Sequence, residues 1–314
     1  MTTSQPPTVL ITGASGFIGR HVVRRAAQQR LPVRLMVHRR PVHSAASVGR
    51  FVTADLSDPA SLHGVCDGVD VLVHCASHIG VPSELCETVN ARGSAALVAE
   101  AQRAGVRRIV YLSTASVYGR GPFKRMRAGE LTRAPASATS RSRAWAEDAV
   151  LAAGGIVLRP HLVYGEADTW VVPRLAQMLR TLPGTVDRWR TRMSVIAVED
   201  LARALLAVGL APGTSLSASV YHANHPEPVE CDELLRAIAA AAGIPYPVTD
   251  LTHAQASAFW AARVGSSHDL DMMTTDHWFD STELWSDLGC DPGPGFRDRF
   301  LQYAPWYRQK LHAG

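Results

Sequence analysis

Lysine is almost missing from this chain. Only Lys124 and Lys310 occur, so arginine carries nearly all the positive charge, and the formal net charge is just +4. So weak a balance leaves no electrostatic footprint for nucleic acid, and none is expected as a partner. The five cysteines (Cys66, Cys75, Cys86, Cys231 and Cys290) lie far apart, without a Cys-x-x-Cys pair or histidines at zinc spacing. Their scatter argues against a disulfide framework and against a metal site. No apolar run is long enough to cross a bilayer, and no secretory leader is read ahead of the first strand. A cytoplasmic protein with reduced thiols is the expectation, with no membrane partner and the oligomeric state left open.

Hydrophobic residues make up 46% of the 314 and charged residues only 19%. A large core is therefore available and wholesale disorder is not expected. Thr8-Val9-Leu10-Ile11 reads as a buried strand, after which Ile18, Val22 and Ala26 recur at helical spacing. Further strands read at 33–37, 51–53, 69–73 and 108–112, with a helix over 91–104 before the last of them. Strands alternating with helices predict an α/β fold, a Rossmann-type doubly wound parallel sheet. A dinucleotide-binding domain is expected over 1–160, with 192–224 returning to it. A smaller C-terminal substrate-binding lobe would take 161–191 and 225–314.

Between the first strand and first helix runs Thr12-Gly13-Ala14-Ser15-Gly16-Phe17-Ile18-Gly19. Gly13 permits the tight turn, Gly16 lets backbone approach a pyrophosphate, and Gly19 allows close helix packing. The helix N-terminus then offers unpaired N–H groups to phosphate. The second strand ends His38-Arg39-Arg40, where an NAD site usually places an acid for the ribose hydroxyls. Arg39 and Arg40 suit a 2′-phosphate instead, so NADPH (or NADP) is the expected cofactor; two solvated surface arginines are the alternative.

These residues, Thr12 included, resemble the extended short-chain dehydrogenase/reductase family, and further motifs agree. Asp55-Leu56 is similar to the family's adenine-contacting pair. His74-Cys75-Ala76-Ser77 is similar to the strand end that passes the nicotinamide ribose. Asn90 with Gly93-Ser94 is similar to its Asn-x-x-Gly-Thr helix, and Ser113 to Gly119 to its Ser-Thr-x-x-Val-Tyr-Gly segment. Pro160 and Leu162, within Leu158 to Gly165, lie where the family holds the nicotinamide amide. Val198-Glu199-Asp200-Leu201-Ala202 and Phe279-Asp280-Ser281 extend the likeness over essentially the whole chain.

One part of the pattern is absent. The family's catalytic centre is Tyr-x-x-x-Lys on a helix, with a glutamate four residues past the lysine. None of the seven tyrosines is followed four residues later by lysine. Anchoring on Glu147 in a helix over 137–153 puts Thr139 at the tyrosine position and Arg143 at the lysine position. A threonine hydroxyl is too weak an acid to replace a tuned phenol, and arginine does not relay protons. The resemblance leaves Arg143 as a candidate for the ribose hydroxyls, with a solvated helix arginine as the equal alternative. Ser113 and Thr114 remain as candidates to hydrogen-bond a substrate carbonyl. His78 is read as a loop histidine that has some chance of facing the nicotinamide, and Tyr118, His161 and Tyr164 as structural or cofactor-positioning.

Proton transfer by a positioned side chain is worth about 10²–10⁴-fold, or roughly 3–5 kcal/mol, whereas orientation supplies about 7–11 kcal/mol. An enzyme lacking the acid still keeps most of its advantage if its ketone carries a proton donor. An aromatic ketone with a hydroxyl peri to the carbonyl does so. The missing pair is similar to an atypical ketoreductase group of this family that acts on angucyclinones. The resemblance therefore implies an NADPH-dependent ketoreductase acting on an aromatic polyketide ketone in antibiotic tailoring. The competing reading is an inert NADP-binding sensor of the atypical type. In the lobe, Leu234, Leu235, Ile238 and Ala239 read as core; the basic stretch 120–143 reads mainly as a solvated loop.

Overall fold

The computed structural model describes residues 5–38, 49–80, 82–264 and 268–312. Arg39 and Arg40, the pair assigned to the 2′-phosphate, fall outside the described residues.

Strands β1 (Val9–Thr12), β2 (Val33–Val37), β3 (Arg50–Thr53), β4 (Val71–His74) and β5 (Arg108–Leu112) form where the sequence places them to within two residues. β1 and β4 are buried at every position, as strands covered on both faces must be. Helix α1 (Phe17–Gln28) follows β1. The segment after β4 begins with the short α2 (Ser83–Leu85), widens into a π-helical stretch over Cys86–Gly93, and continues as α3 (Ser94–Arg103). Spacing alone assigned one ordinary helix here. Gly93 lies against β3's outgoing loop, where a Cβ would stand 2.3 Å from the Leu56 carbonyl oxygen.

β6 (Phe123–Met126) comes next, then α4 (Ala138–Ala152), β7 (Ile156–Arg159) and β8 (Leu162–Tyr164). Among the described residues the main sheet has seven strands, all paired parallel. Their order is Val220–His222, β7, β5, β4, β1, β2, β3. The order reverses between β1 and β4, so a crevice opens there at the carboxyl ends of the strands. The fold is that of a doubly wound Rossmann sheet.

A second sheet joins β6 to His277–Phe279, Arg192–Met193 and Val229–Glu230. β6 corrects the reading of 120–143 as a solvated loop. Phe123 and Met126 pack on a small core of Val117, Tyr118, Ala144 and Phe279, while Lys124 and Arg125 point to solvent. The four-residue strand is apolar at each end and basic between, which charge patterning hides. Leu234, Leu235, Ile238 and Ala239 are core in the C-terminal lobe, as expected. No described helix is long and apolar enough to cross a membrane.

Candidate active site

The glycine loop builds the first half of the site. Gly13 adopts φ +67°, and a Cβ on it would come within 2.7 Å of the Ala76 backbone nitrogen. The turn after β1 thus touches the turn after β4. Gly19 presses α1 onto the same turn, since a Cβ there would lie 2.1 Å from the Gly13 carbonyl oxygen. Ser15, Gly16, Phe17 and Ile18 form the exposed-to-half-buried start of α1, where backbone N–H groups lack helical partners.

A cleft of about 370 Å³ opens beside them, lined by Gly13, Ser15, Asp55, Leu56, Ala76 and Ser77 among others. Six residues named from sequence for a dinucleotide therefore meet in one crevice. His38, at the end of β2, lines it too and pairs with Asp55, Nε2 to Oδ2 at 2.8 Å. The glycine cradle and crevice fit a dinucleotide.

Two of the expected contacts turn inward. Thr12 is fully buried; its hydroxyl accepts from Ala76 N at 3.2 Å and is hydrogen-bonded with His74 Nδ1 at 2.6 Å. His74 Nε2 in turn is hydrogen-bonded with Ser94 Oγ at 2.8 Å. Thr12 therefore ties β1 to β4 and α3, and its side chain does not face the cleft. Burial, with help from the Arg143 charge, pushes the His74 pKa down to about 3, so its imidazole is neutral. Burial likewise pushes the Cys75 thiol up to about 12, which leaves it unreactive.

On α4, Ser137 caps the helix by accepting from Ser140 N at 3.0 Å. The register puts Thr139 Oγ1 3.5 Å from Cys86 Sγ, so the residue at the tyrosine position faces the π-helical segment. Arg143 is half-buried and donates to the Leu112 carbonyl oxygen, with its charge beside His74, Cys75 and Tyr111. This overturns the solvated alternative for Arg143: the side chain turns in to the carboxyl ends of β4 and β5.

Ser113 does not face a substrate. It is buried and its hydroxyl donates to Glu147, because the glutamate sits inside the fold and needs donors. Arg159 supplies two more, Nε to Oε1 at 2.9 Å and Nη2 to Oε2 at 2.5 Å. Its remaining nitrogen donates to Tyr118 Oη at 2.6 Å, and Tyr118 Oη lies 2.8 Å from His222 Nε2. Arg133, assigned to a solvated loop, also reaches Glu147 at 3.3 Å. Tyr118 is thereby fixed as structural. Thr114 stays half-buried, accepting from Ser116 N at 3.2 Å.

Pro160 lies in the turn between β7 and β8, and its carbonyl accepts from Ala115 N at 2.8 Å. Leu162 is withdrawn: its side chain joins the lobe core and its N–H donates to the Ser194 carbonyl at 3.3 Å. Next to this turn is a second cavity of about 120 Å³. Ala115 and Ser116 after Thr114, Ser137 and Ser140 at the start of α4, His161, and His268, Asp271, Met272 and His277 are among the residues that enclose it. His161 and His277 were missed as cavity residues, since each is one polar residue among strand or turn neighbours. His78 lines the first cleft, where its Nε2 is buried without a partner.

Residues 9–223 match the family described as NAD dependent epimerase/dehydratase. The chain belongs to this family. It is 33% identical over 258 residues to a 2-alkyl-3-oxoalkanoate reductase of Stenotrophomonas maltophilia, covering 76% of each chain. It is 28% identical over 272 residues to a 4-hydroxy-2-methyl-3-oxo-4-farnesyl-3,4-dihydroquinoline-1-oxide ketoreductase of Stigmatella aurantiaca, covering 82% of this chain and 79% of that one. Among solved structures, the Bordetella bronchiseptica enzyme WbmH in complex with NAD+ superimposes with a TM-score of 0.77 at 22% identity, over 97% of this chain and 99% of that chain. That last likeness concerns the fold.

Proposed function

We propose that this protein is an NADPH-dependent ketoreductase that reduces a carbonyl of an aromatic polyketide, of angucyclinone type, without the family's tyrosine and lysine, as an antibiotic-tailoring step. The observation that carries the reading is a cleft that fits a dinucleotide, its glycine cradle intact, together with a second cavity whose wall, among the described residues, holds no tyrosine or lysine. The relatives named as oxoalkanoate reductase and ketoreductase support keto-group reduction.

Gly13, Ser15 and the start of α1 would hold the phosphates, and Arg143 the nicotinamide-side ribose. When bound, NADPH supplies a hydride to the carbonyl carbon. The carbon–oxygen π pair moves onto oxygen, which takes the proton of the substrate's own neighbouring hydroxyl, and water reprotonates that hydroxyl. Thr139 gives no proton, since it faces Cys86. The cavity of about 120 Å³ is close to the roughly 150 Å³ that takes one benzene-sized ring. It therefore suits the ring bearing the ketone, with the rest of a larger substrate outside it.

The test is single-turnover mixing of the protein with NADPH deuterated on the transferred face and 8-hydroxy-1-tetralone, with an angucyclinone ketone and a 2-alkyl-3-oxoalkanoate alongside. Deuterium at the carbinol carbon of an aromatic ketone supports the reading. Transfer to the oxoalkanoate alone would keep the reductase and reject the aromatic substrate. Tight NADPH binding with no transfer to any of them would favour the sensor.

A further inference from the structure

His161 lines the second cavity, and its ring carries a buried hydrogen-bonding atom that no other group uses. Its ring lies parallel to that of His277, centroids 5.3 Å apart and planes 8° apart, and meets Phe279 edge-on at 5.7 Å. Its backbone N–H donates to Asn224 Oδ1 at 2.8 Å, and Asn224 is itself fully buried. The ring is thus held from the lobe side and from its own main chain. Yet Nε2 is buried without any hydrogen-bond partner. Leaving such a group unpaired costs about 1–3 kcal/mol, and orphaned polar atoms in folded proteins call for a ligand or an ordered water.

The position of this atom is informative. His161 follows Pro160, whose carbonyl is bonded to the residue after Thr114, and it shares the cavity with Ala115, Ser116 and the first turn of α4. The Ser-Thr segment, the helix that lacks its tyrosine and the turn after β7 therefore meet around one imidazole. The geometry points to His161 as a catalytic residue whose Nε2–H donates a hydrogen bond to the substrate carbonyl oxygen and stabilises the charge that develops on it. The assignment rests on the ketoreductase reading above and adds a protein group to it.

The role asks for a donor and not an acid. Burial and the facing His277 hold the His161 pKa well below its ordinary value, so the ring is neutral and its single N–H stays on nitrogen throughout. Neutral imidazole serves as an electrophile of this kind elsewhere. The proton that ends on the product oxygen still comes from the substrate hydroxyl and water. His78 has an unpartnered nitrogen too, but it faces the dinucleotide cleft beside Gly13 and Asp55. It lies outside the second cavity.

His161→Phe keeps the ring stack and removes the donor; His161→Gln replaces it with an amide N–H. Each is compared with the parent for NADPH affinity and for hydride transfer to 8-hydroxy-1-tetralone. Loss of one oxyanion donor is worth about 10²–10³-fold where no other donor serves, and the substrate's internal donor shares the task here. The phenylalanine variant should therefore lose about 10–10²-fold in kcat/KM with NADPH affinity unchanged, and the glutamine variant should recover most of it. Equal turnover by His161→Phe and parent overturns the assignment and leaves the ketoreductase reading standing. Glutamine as poor as phenylalanine, or loss of NADPH affinity in both, overturns the donor role. A parent that binds NADPH and reduces no ketone overturns the reading, and the assignment with it.

Discussion

Arg159 grips Glu147 at two points, 2.9 and 2.5 Å, with both side chains buried beneath the Ser113–Thr114 segment. Removing one partner of such a pair strands a charge and costs about 3–5 kcal/mol, whereas replacing both with apolar groups is often close to neutral. Glu147→Gln should therefore lower the free energy of unfolding in urea by an amount in that range. Glu147→Leu with Arg159→Met should cost less than the sum of the two single changes. A Glu147→Gln loss under 1 kcal/mol would show that the glutamine amide oxygen and Tyr118 Oη suffice to accommodate the Arg159 charge.

Thr139 occupies the tyrosine position, but its hydroxyl lies against Cys86 Sγ. Thr139→Ala should leave reduction of 8-hydroxy-1-tetralone within about threefold of the parent, far less than the 10²–10⁴-fold that a general acid contributes. A fall of 10²-fold or more with NADPH affinity intact would make Thr139 the proton donor after all.

The main sheet was legible because its strands are continuous apolar runs and its first turn needs glycine at Gly13 and Gly19 for steric reasons. The cofactor cleft was legible for the same reason, and Asp55, Leu56, Ala76 and Ser77 meet there. Ser113, Thr12 and Leu162 were placed in the site by likeness of motif, but likeness does not say which way a hydroxyl turns. Ser113 answers to Glu147 and Thr12 to His74. The His161–His277 stack joins residues more than a hundred positions apart, and no local pattern in a sequence reports such a contact.

Arg39 and Arg40 follow His38, whose imidazole is engaged with Asp55. If the two arginines read a 2′-phosphate through charge-assisted bonds worth about 1.5–3 kcal/mol, changing both to alanine should weaken NADPH binding at least tenfold more than NADH binding. Equal losses for the two nucleotides, measured by fluorescence titration, would sink the idea.

Four buried histidines and the half-buried His161 set the acid response. His74 is pushed to about 3 and His222 to about 4, while His21, His161 and His277 are lowered, all chiefly by burial. Each stays neutral in the folded chain while its unfolded counterpart takes up a proton near pH 6.5. Their stabilisation is thus full above pH 6.5 and is lost as pH falls, by up to about 1.4 kcal/mol per pH unit for each. Asp168 and Glu199, raised by burial, oppose this in the carboxylate range. Urea midpoints should therefore drop between pH 6.5 and 5, before most carboxylates titrate. A flat profile over that window would mean that these rings charge inside the fold.

Arg143 is where structure and cofactor chemistry meet. Its guanidinium donates to the Leu112 carbonyl and stands beside His74 and Cys75, at the carboxyl ends of β5 and β4, and its Nε is buried without a partner. A nitrogen left free beside the strand that should pass the nicotinamide ribose is what a ribose-binding arginine would show. A charge-assisted bond of about 1.5–3 kcal/mol corresponds to a loss of roughly 10–10²-fold in affinity. Arg143→Ala should therefore weaken NADPH by that factor, and Arg143→Lys should restore most of it, since either cation can reach a hydroxyl. Arg143→Ala also frees the Leu112 carbonyl, so thermal unfolding must be followed in parallel. A lower unfolding temperature with NADPH affinity unchanged would assign Arg143 to the end of β5 and remove it from the cofactor. Loss of affinity at an unchanged unfolding temperature would place its guanidinium on the ribose, in the role that lysine has in the rest of the family.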